Sequence, residues 1–266
     1  MVPICTALEA HPALFHGDVT HRVTSVCRDP LSSELFYFLE ESCNGNSSLS
    51  RIATASVINA INSTGWAYLE VKSYSGTSDE LQAYAAGFAE GSSTANLIYW
   101  HYVNTVAGYC NEVEDYCEKL RSFLQKNADW MFSQIDAKPS DPYWHQVKLV
   151  LLQLSGLHDG YYGQIREPKM SRIDLAGFVM FQLSGDLEDL EQLLKPDLKN
   201  DKTRLNLGVK SRVLGSGSCS ALIKPVDGNA DLLFAHDTWN TYQSMLRIQK
   251  LYNLAYKLAD KRGIDG

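Results

Sequence analysis

The spacing of apolar residues changes period between Gly65 and Ala89, and that change constrains the chain more than any other feature. Gly65-Trp66-Ala67-Tyr68-Leu69-Glu70-Val71-Lys72 closes an apolar segment that begins near Leu49. At its close apolar and polar residues alternate, the repeat of a strand. From Asp79 onward, Leu81, Tyr84, Ala85, Phe88 and Ala89 recur three and four residues apart, the repeat of an amphipathic helix. Ser78 or Asp79 is placed to cap it. A second helix is expected over residues 112–135, where Glu112, Glu114 and Asp115 suit the positive end of a helix dipole. A third apolar stretch surrounds Val147 to Leu154.

The chain has 266 residues, 45% of them hydrophobic, so it can bury a real core. Its formal charge of −7 argues against nucleic acid as a partner, because phosphate binding needs a basic stripe. No run of about 18 apolar residues is present, which excludes a membrane-spanning helix. Residues 1–10 hold a short apolar run without a basic flank, and Glu9 and His11 come too soon for a signal-peptide core. The expectation is a signal already removed or encoded elsewhere. The six cysteines (Cys5, Cys27, Cys43, Cys110, Cys117, Cys219) make no C-x-x-C pair and no zinc-ligand spacing. His11, His16 and His21 recur every five residues, a spacing that fits neither one helix face nor one strand face. Neither a metal site nor a cofactor is expected. Asn46-Ser47-Ser48 and Asn62-Ser63-Thr64 are glycan acceptors if the chain enters the secretory pathway.

After Asp189 the composition shifts toward charge. Lys195-Pro196-Asp197-Leu198-Lys199-Asn200-Asp201-Lys202 has little to bury, and residues 195–218 read as a solvated linker ending in Gly215-Ser216-Gly217-Ser218. Two strand-like runs follow, Cys219 to Lys224 and Asp231 to His236, around a turn region with Pro225 and Asp227-Gly228-Asn229. They read as a hairpin. A turn centred on Asp227-Gly228 sets Cys219 opposite His236. A four-residue loop of Asp227 to Ala230 sets Cys219 opposite Thr238 and Ala221 opposite His236. Downstream, Tyr242, Met245, Leu246, Ile248, Leu251, Tyr252 and Leu254 read as a long amphipathic helix over residues 239–259 covering the hairpin.

A cysteine at the first position of a strand, directly after a flexible glycine-containing segment, suits an internal acyl shift. The Cys219 thiol attacks the Ser218 carbonyl, and hydrolysis of the thioester frees Cys219 as a new N-terminus. Its α-amine, with a pKa of about 7.7 to 8.0, then serves as base to its own thiol. At pH 5 an unaided thiol of pKa about 8.5 is ionised to only about 0.03%. An imidazolium from His236 lowers that pKa, so the pair suits an acidic lumen. The plainer alternative for Cys219 is a buried thiol on a core strand. No Gly-x-Ser-x-Gly elbow exists to support a serine hydrolase. His158-Asp159 with Tyr161 and Tyr162 reads as loop packing rather than a catalytic pair.

Cys219-Ser-Ala-Leu-Ile-Lys224, Asp231-Leu-Leu-Phe-Ala-His236-Asp-Thr-Trp239-Asn-Thr-Tyr242 and Met245-Leu-Arg-Ile248 resemble the processing site and active-site strand pair of the phospholipase B-like family, which includes the laminin-ancestor proteins. Gly65 to Val71, Gln82-Ala-Tyr-Ala-Ala-Gly-Phe-Ala-Glu-Gly91 and Leu97-Ile-Tyr-Trp-His101 are similar to its N-terminal fragment. The resemblance implies an α+β fold, the four-layer αββα sandwich of N-terminal-nucleophile hydrolases. It implies cleavage between Ser218 and Cys219 and hydrolysis of acyl ester or amide bonds in phospholipids or related lipids. Glycosylation, residence in lysosomes or secretion, and fragments that stay associated after cleavage are also implied. Cys219 matches the nucleophile, His236 the active-site histidine and Trp239 an aromatic lining the pocket. Residues 1–194 correspond to the N-terminal fragment, 195–218 to the linker and 219–266 to the start of the catalytic fragment. The family's asparagine and arginine active-site groups fall beyond Gly266, so the sandwich is expected to be incomplete and this length of chain inactive alone. A secreted or lysosomal glycoprotein that binds through an incomplete pocket is the competing reading. The family's small fragment also suggests a Cys110–Cys117 disulfide. On one continuous helix the two would lie roughly 10.5 Å apart, beyond the roughly 6.8 Å that a disulfide spans, so a bridge needs a break between Gly108 and Asp115.

Overall fold

The computed structural model describes residues 21–40, 43, 48–111, 113–170, 177–183, 185–194, 219–239 and 241–257. Strands β1 (His21–Arg28), β2 (Leu35–Leu39), β3 (Ser50–Ala60) and β4 (Trp66–Ser73) form an antiparallel sheet. A short helical turn, α1 (Ile61–Thr64), joins β3 to β4 and ends at Gly65, whose φ of 80° is the left-handed conformation that glycine adopts freely. The alternation of residues 65–72 is realised as β4. Ala67, Leu69 and Val71 point to the buried side, while Trp66 and Tyr68 point out.

The expected helix over residues 239–259 does not form. A single 3-10 turn, Tyr242–Ser244, is followed by β7 (Ile248–Asn253), which pairs parallel with β4 from Ala67↔Ile248 to Lys72↔Asn253. The sheet order is β2-β1-β3-β4-β7. The apolar residues of this segment do recur at helical intervals, but the open edge of β4 offers backbone donors and acceptors that a strand satisfies and a helix does not. The Ala67 amide donates to the Arg247 carbonyl at 2.9 Å, and the Arg247 guanidinium stacks on Trp66 at 5.7 Å from the ring centre.

Helix α2 (Asp79–Ser93) covers the inner face of the sheet, with Tyr84, Ala85, Phe88 and Ala89 against Val26, Ala55, Val57, Leu69 and Val71. Ser78 caps it, its hydroxyl accepting from the Leu81 amide at 3.3 Å. Helix α5 (Pro142–Tyr161), which contains the third apolar stretch, packs on α2. It starts with Asp141 as cap to the Tyr143 and Trp144 amides, and with Pro142 in the first turn. The contact is backbone to backbone. A Cβ on Gly87 or Gly91 would strike the carbonyl oxygens of Gln153 and Leu157, and one on Gly156 or Gly160 those of Tyr84 and Phe88.

A second core gathers α3 (Ala95–Thr105), α4 (Glu114–Ala137), α6 (Phe178–Gln182) and α7 (Leu187–Leu194) around Tyr102, Val106, Leu120, Phe178 and Leu187. Helix α4 begins two residues later than the charge pattern suggests. The chain breaks between α3 and α4, with Gly108 at a φ of 80°, and Cys110 and Cys117 are bridged there with a Cα–Cα distance of 5.9 Å. A second disulfide, Cys27–Cys43, ties β1 to the segment after β2 across a Cα–Cα distance of 6.0 Å. Its spacing carries no motif, and the sequence did not reveal it. Beside the first bridge, the Tyr109 hydroxyl donates to Glu191 Oε1 at 2.7 Å and meets the Tyr116 hydroxyl at 3.0 Å.

Gly156→Ala and Gly87→Ala should each lower stability by about 1–3 kcal/mol or more, because a rigid carbonyl stands where the methyl must go. Gly185→Ala, with nothing within 4 Å of its Cβ, is the control, and thermal unfolding of the three variants checks the difference. Burial pushes the Tyr116 and Tyr256 phenols up to about 12 and raises Tyr109 further. Unfolded tyrosines ionise near pH 10, so this stability is complete below about pH 10 and falls as pH rises toward 12. Denaturant unfolding followed against tyrosinate absorbance should show that alkaline loss, and Tyr109→Phe should reduce it.

Candidate active site

Strands β5 (Cys219–Pro225) and β6 (Leu232–Thr238) form a separate antiparallel ribbon. Ser218 and the linker at residues 195–218 lie outside the described residues, as does Asn46. Between the strands a 3-10 turn, Asp227–Asn229, reverses the chain, closed by the Val226 amide to the Asp231 carbonyl at 2.9 Å. Gly228 and Asn229 hold the left-handed conformation, with φ of 71° and 56°. A two-residue turn centred on Asp227-Gly228 would need positive φ at Asp227 and Gly228 instead. The loop is therefore the four-residue one, and Cys219 does not face His236. Cys219 pairs with Thr238, and Ala221 with His236.

That register still brings the residues to one end of one face. Cys219, Ala221 and Ile223 share a side of the ribbon with Phe234, His236 and Thr238, because side chains alternate along each strand and opposed residues point the same way. His236 is the diagonal neighbour of Cys219, at a separation of roughly 7–8 Å between backbones, and the Thr238 hydroxyl is the nearer group. Among the described residues no hydrogen bond joins Cys219 to His236. Trp239 follows β6 directly and is 58% exposed. Cys219 itself is exposed and unbridged in this structure. The ribbon's apolar side chains are open as well, with Phe234 at 80% exposure.

From Trp239 the chain returns to the body through the 3-10 turn against α3 and then through β7. The sequence pattern did not flag the side chains that meet it there. Glu90 receives Lys250 and Tyr252, and Asp79 receives the backbone of Lys257. His158 and Asp159 lie in the last turn of α5, not in a loop. The buried Asp159 carboxylate meets His158 Nδ1 at 3.1 Å and accepts from the Tyr84 hydroxyl at 2.8 Å. Asp159 is inside the core and its bond to Tyr84 ties α2 to α5, while His158 is half-buried beside it.

On the outer face of the sheet a groove of about 410 Å³ is lined by hydroxyls of Ser25, Thr54 and Ser56 and rimmed by Arg51, Lys72 and Glu70. It includes none of Cys219, His236 or Trp239. Among the described residues no three His, Cys, Asp or Glu side chains converge to hold a metal, and no described helix is long and apolar enough to cross a membrane. Asn62 is exposed in the turn between β3 and β4.

The Phospholipase B family model matches residues 53–265, from within β3 past the end of β7. A mouse protein named Putative phospholipase B-like 2 is 49% identical over 210 residues, which cover 77% of this chain and 34% of that protein. Putative phospholipase B-like 1 of Caenorhabditis elegans is 41% identical over 235 residues, covering 87% of this chain and 39% of its own length. Phospholipase B-like protein B of Dictyostelium discoideum is 31% identical over 213 residues, covering 80% of this chain and 37% of its own. The chain thus spans little more than a third of the length of the curated relatives it matches. With the family match running through the sheet, the paired helices and the exposed Cys219 ribbon, the chain belongs to the phospholipase B family.

Proposed function

We propose that this chain carries the processing site and nucleophile strand of a phospholipase B-like hydrolase acting on acyl ester or amide bonds of phospholipids or related lipids. The observation that carries the reading is an exposed, unbridged Cys219 at the first residue of a strand, with Thr238 opposite and His236 one diagonal away. The Cys219 sulfur attacks the Ser218 carbonyl carbon, the amide C–N bond breaks, and the thiol proton ends on the departing amine. Water then hydrolyses the thioester to the Ser218 carboxylate and returns the thiol. In turnover the freed α-amine takes the thiol proton, and the thiolate attacks the substrate carbonyl. The alcohol or amine leaves with that proton, and water releases the fatty acid. His236, one diagonal from the thiol, is the side chain assigned to assist it. Trp239 offers an apolar wall for the acyl chain. The two disulfides and the Asn62 sequon support passage through an oxidising, secretory compartment, with lysosome or extracellular space as the destination.

One observation favours a second reading. His236 faces Ala221 rather than the thiol, so the ribbon alone presents no hydrogen-bonded base to Cys219. A glycoprotein that keeps this fold and acts by binding would tolerate that geometry.

Mass and N-terminal sequencing of the secreted protein should find a fragment beginning at Cys219, and Cys219→Ala should remain uncut. On acyl-phospholipid and N-acyl amide substrates at pH 5, the chain extended to the length of its relatives should turn over, and His236→Ala in that form should reduce turnover about 10²- to 10⁴-fold. A cut protein of that longer form that neither turns over these substrates nor reacts at Cys219 with an electrophile at pH 5 would favour the binding reading. Glycosidase treatment should lower the mass of the secreted protein, and Asn62→Gln should remove part of that shift.

A further inference from the structure

Each cysteine of the Cys110–Cys117 bridge directly follows a tyrosine, so the pair Tyr-Cys occurs twice, seven residues apart. Joining the cysteines joins the tyrosines. The Tyr109 and Tyr116 hydroxyls meet at 3.0 Å with ring centres 6.2 Å apart, and the two residues are 6% and 4% exposed. The turns between α3 and α4 permit this approach, with the Tyr109 amide donating to the Val106 carbonyl at 2.9 Å and the Val113 amide to the Cys110 carbonyl at 3.2 Å.

The tyrosine pair has a third member, Glu191, whose Oε1 accepts from the Tyr109 hydroxyl at 2.7 Å. A phenol carries one proton and a carboxylate can only accept, so the Tyr109 proton goes to Glu191 and Tyr116 is the donor to Tyr109. Donation therefore runs from Tyr116 to Tyr109 to Glu191. Burial raises both phenols above their ordinary pKa, which keeps the two protons that this relay uses. Glu191 belongs to α7, which has eight residues, too few to persist without packing. Leu187 and Leu190 supply that packing against the second core, and among the described side chains of α7 Glu191 alone makes a hydrogen bond to another element.

The two bridges differ in access. Cys27 is 0% exposed, Cys43 3% and Cys117 4%, whereas Cys110 is half-buried and so the most open of the four. We propose that Cys110–Cys117 is a thiol-responsive latch for α7. Closed, it sets the tyrosine relay that holds Glu191; opened, it lets the relay and the helix go. The reductant is a dithiol. One of its thiolates attacks Cys110 Sγ, the S–S bond breaks, and Cys117 leaves as a thiolate that takes up a proton. The second thiolate then displaces Cys110, which is protonated in turn, and the reagent departs as a cyclic disulfide. The bridge has gained two electrons and two protons. This latch stands apart from the reading of Cys219 and uses none of its chemistry.

The test is hydrogen exchange on the 266-residue chain before and after brief treatment with dithiothreitol, with the thiols then alkylated and mapped by mass. Cys110 and Cys117 should be labelled before Cys27 and Cys43. The α7 amides should then exchange about 10- to 100-fold faster, the scale of one or two charge-assisted hydrogen bonds, with α2 and α5 unchanged. Cys110→Ala with Cys117→Ala should give the same increase without reagent. Glu191→Ala should release α7 with the bridge closed, and opening the bridge in that variant should add little, because both act through one contact. Tyr116→Phe removes the first donor of the relay while keeping the bridge. It should also speed α7 exchange, which covers the case in which the double cysteine variant fails to fold. The proposal is overturned if Cys27 and Cys43 open first, if α7 exchange stays the same when the Cys110–Cys117 bridge opens, or if α2 and α5 speed up by the same factor as α7.

Discussion

The approach of α2 to α5 is the constraint on which the other packing depends. Their backbones meet because four glycines, Gly87 and Gly91 on one helix and Gly156 and Gly160 on the other, present no side chain at the crossing. The contacts run in step along the two helices, Tyr84 with Gly156 and Phe88 with Gly160, so the helices lie parallel. At that separation no side chain of either helix is available to fill a gap, and the larger residues of α2 are sent sideways. Phe88 and the alanines go to the sheet, and Tyr84 reaches across to the carboxylate of Asp159 and the Arg166 amide.

A helix covered on both sides has few places to put polar groups, and α2 uses each of them. Gln82 is wholly buried and engages Ser73 and the Thr77 carbonyl. Asp79 and Glu90 point along the sheet margin at the returning chain. Polar groups in such positions are tolerated only when they are hydrogen-bonded, and so the sequence of α2 carries the imprint of a segment more than 150 residues downstream. The Cys219 ribbon is attached to the rest of the protein through that segment. It has few contacts of its own, and its apolar face is open.

Much of the architecture was legible locally. The alternation of residues 65–72 and the three-four spacing from Asp79 each depend on near neighbours, and β4 and α2 follow them, down to Ser78 as cap. The hairpin strands at Cys219 and His236 were likewise readable, and the motif around them pointed to the family. The helix expected over residues 239–259 failed for a nonlocal reason: the apolar spacing allowed it, but the free edge of β4 offered pairing that only an extended chain could use. The Cys27–Cys43 bridge left no trace because sixteen residues of separation have no signature without knowing that β1 and β2 fold back on one another.

The sequence by itself determined the types of most elements, the family, and that a cysteine stands at the head of a strand, since these depend on residue identity and on spacings of a few residues. Tertiary structure alone decided the register that sets Thr238 rather than His236 opposite Cys219, because a turn's register follows from which residues adopt positive φ. It also decided the parallel pairing of β7 with β4 and the burial of Glu90 against Lys250 and Tyr252. Those depend on surfaces brought together from distant parts of the chain, and no local pattern encodes the free energy of leaving a strand edge or a carboxylate unpaired.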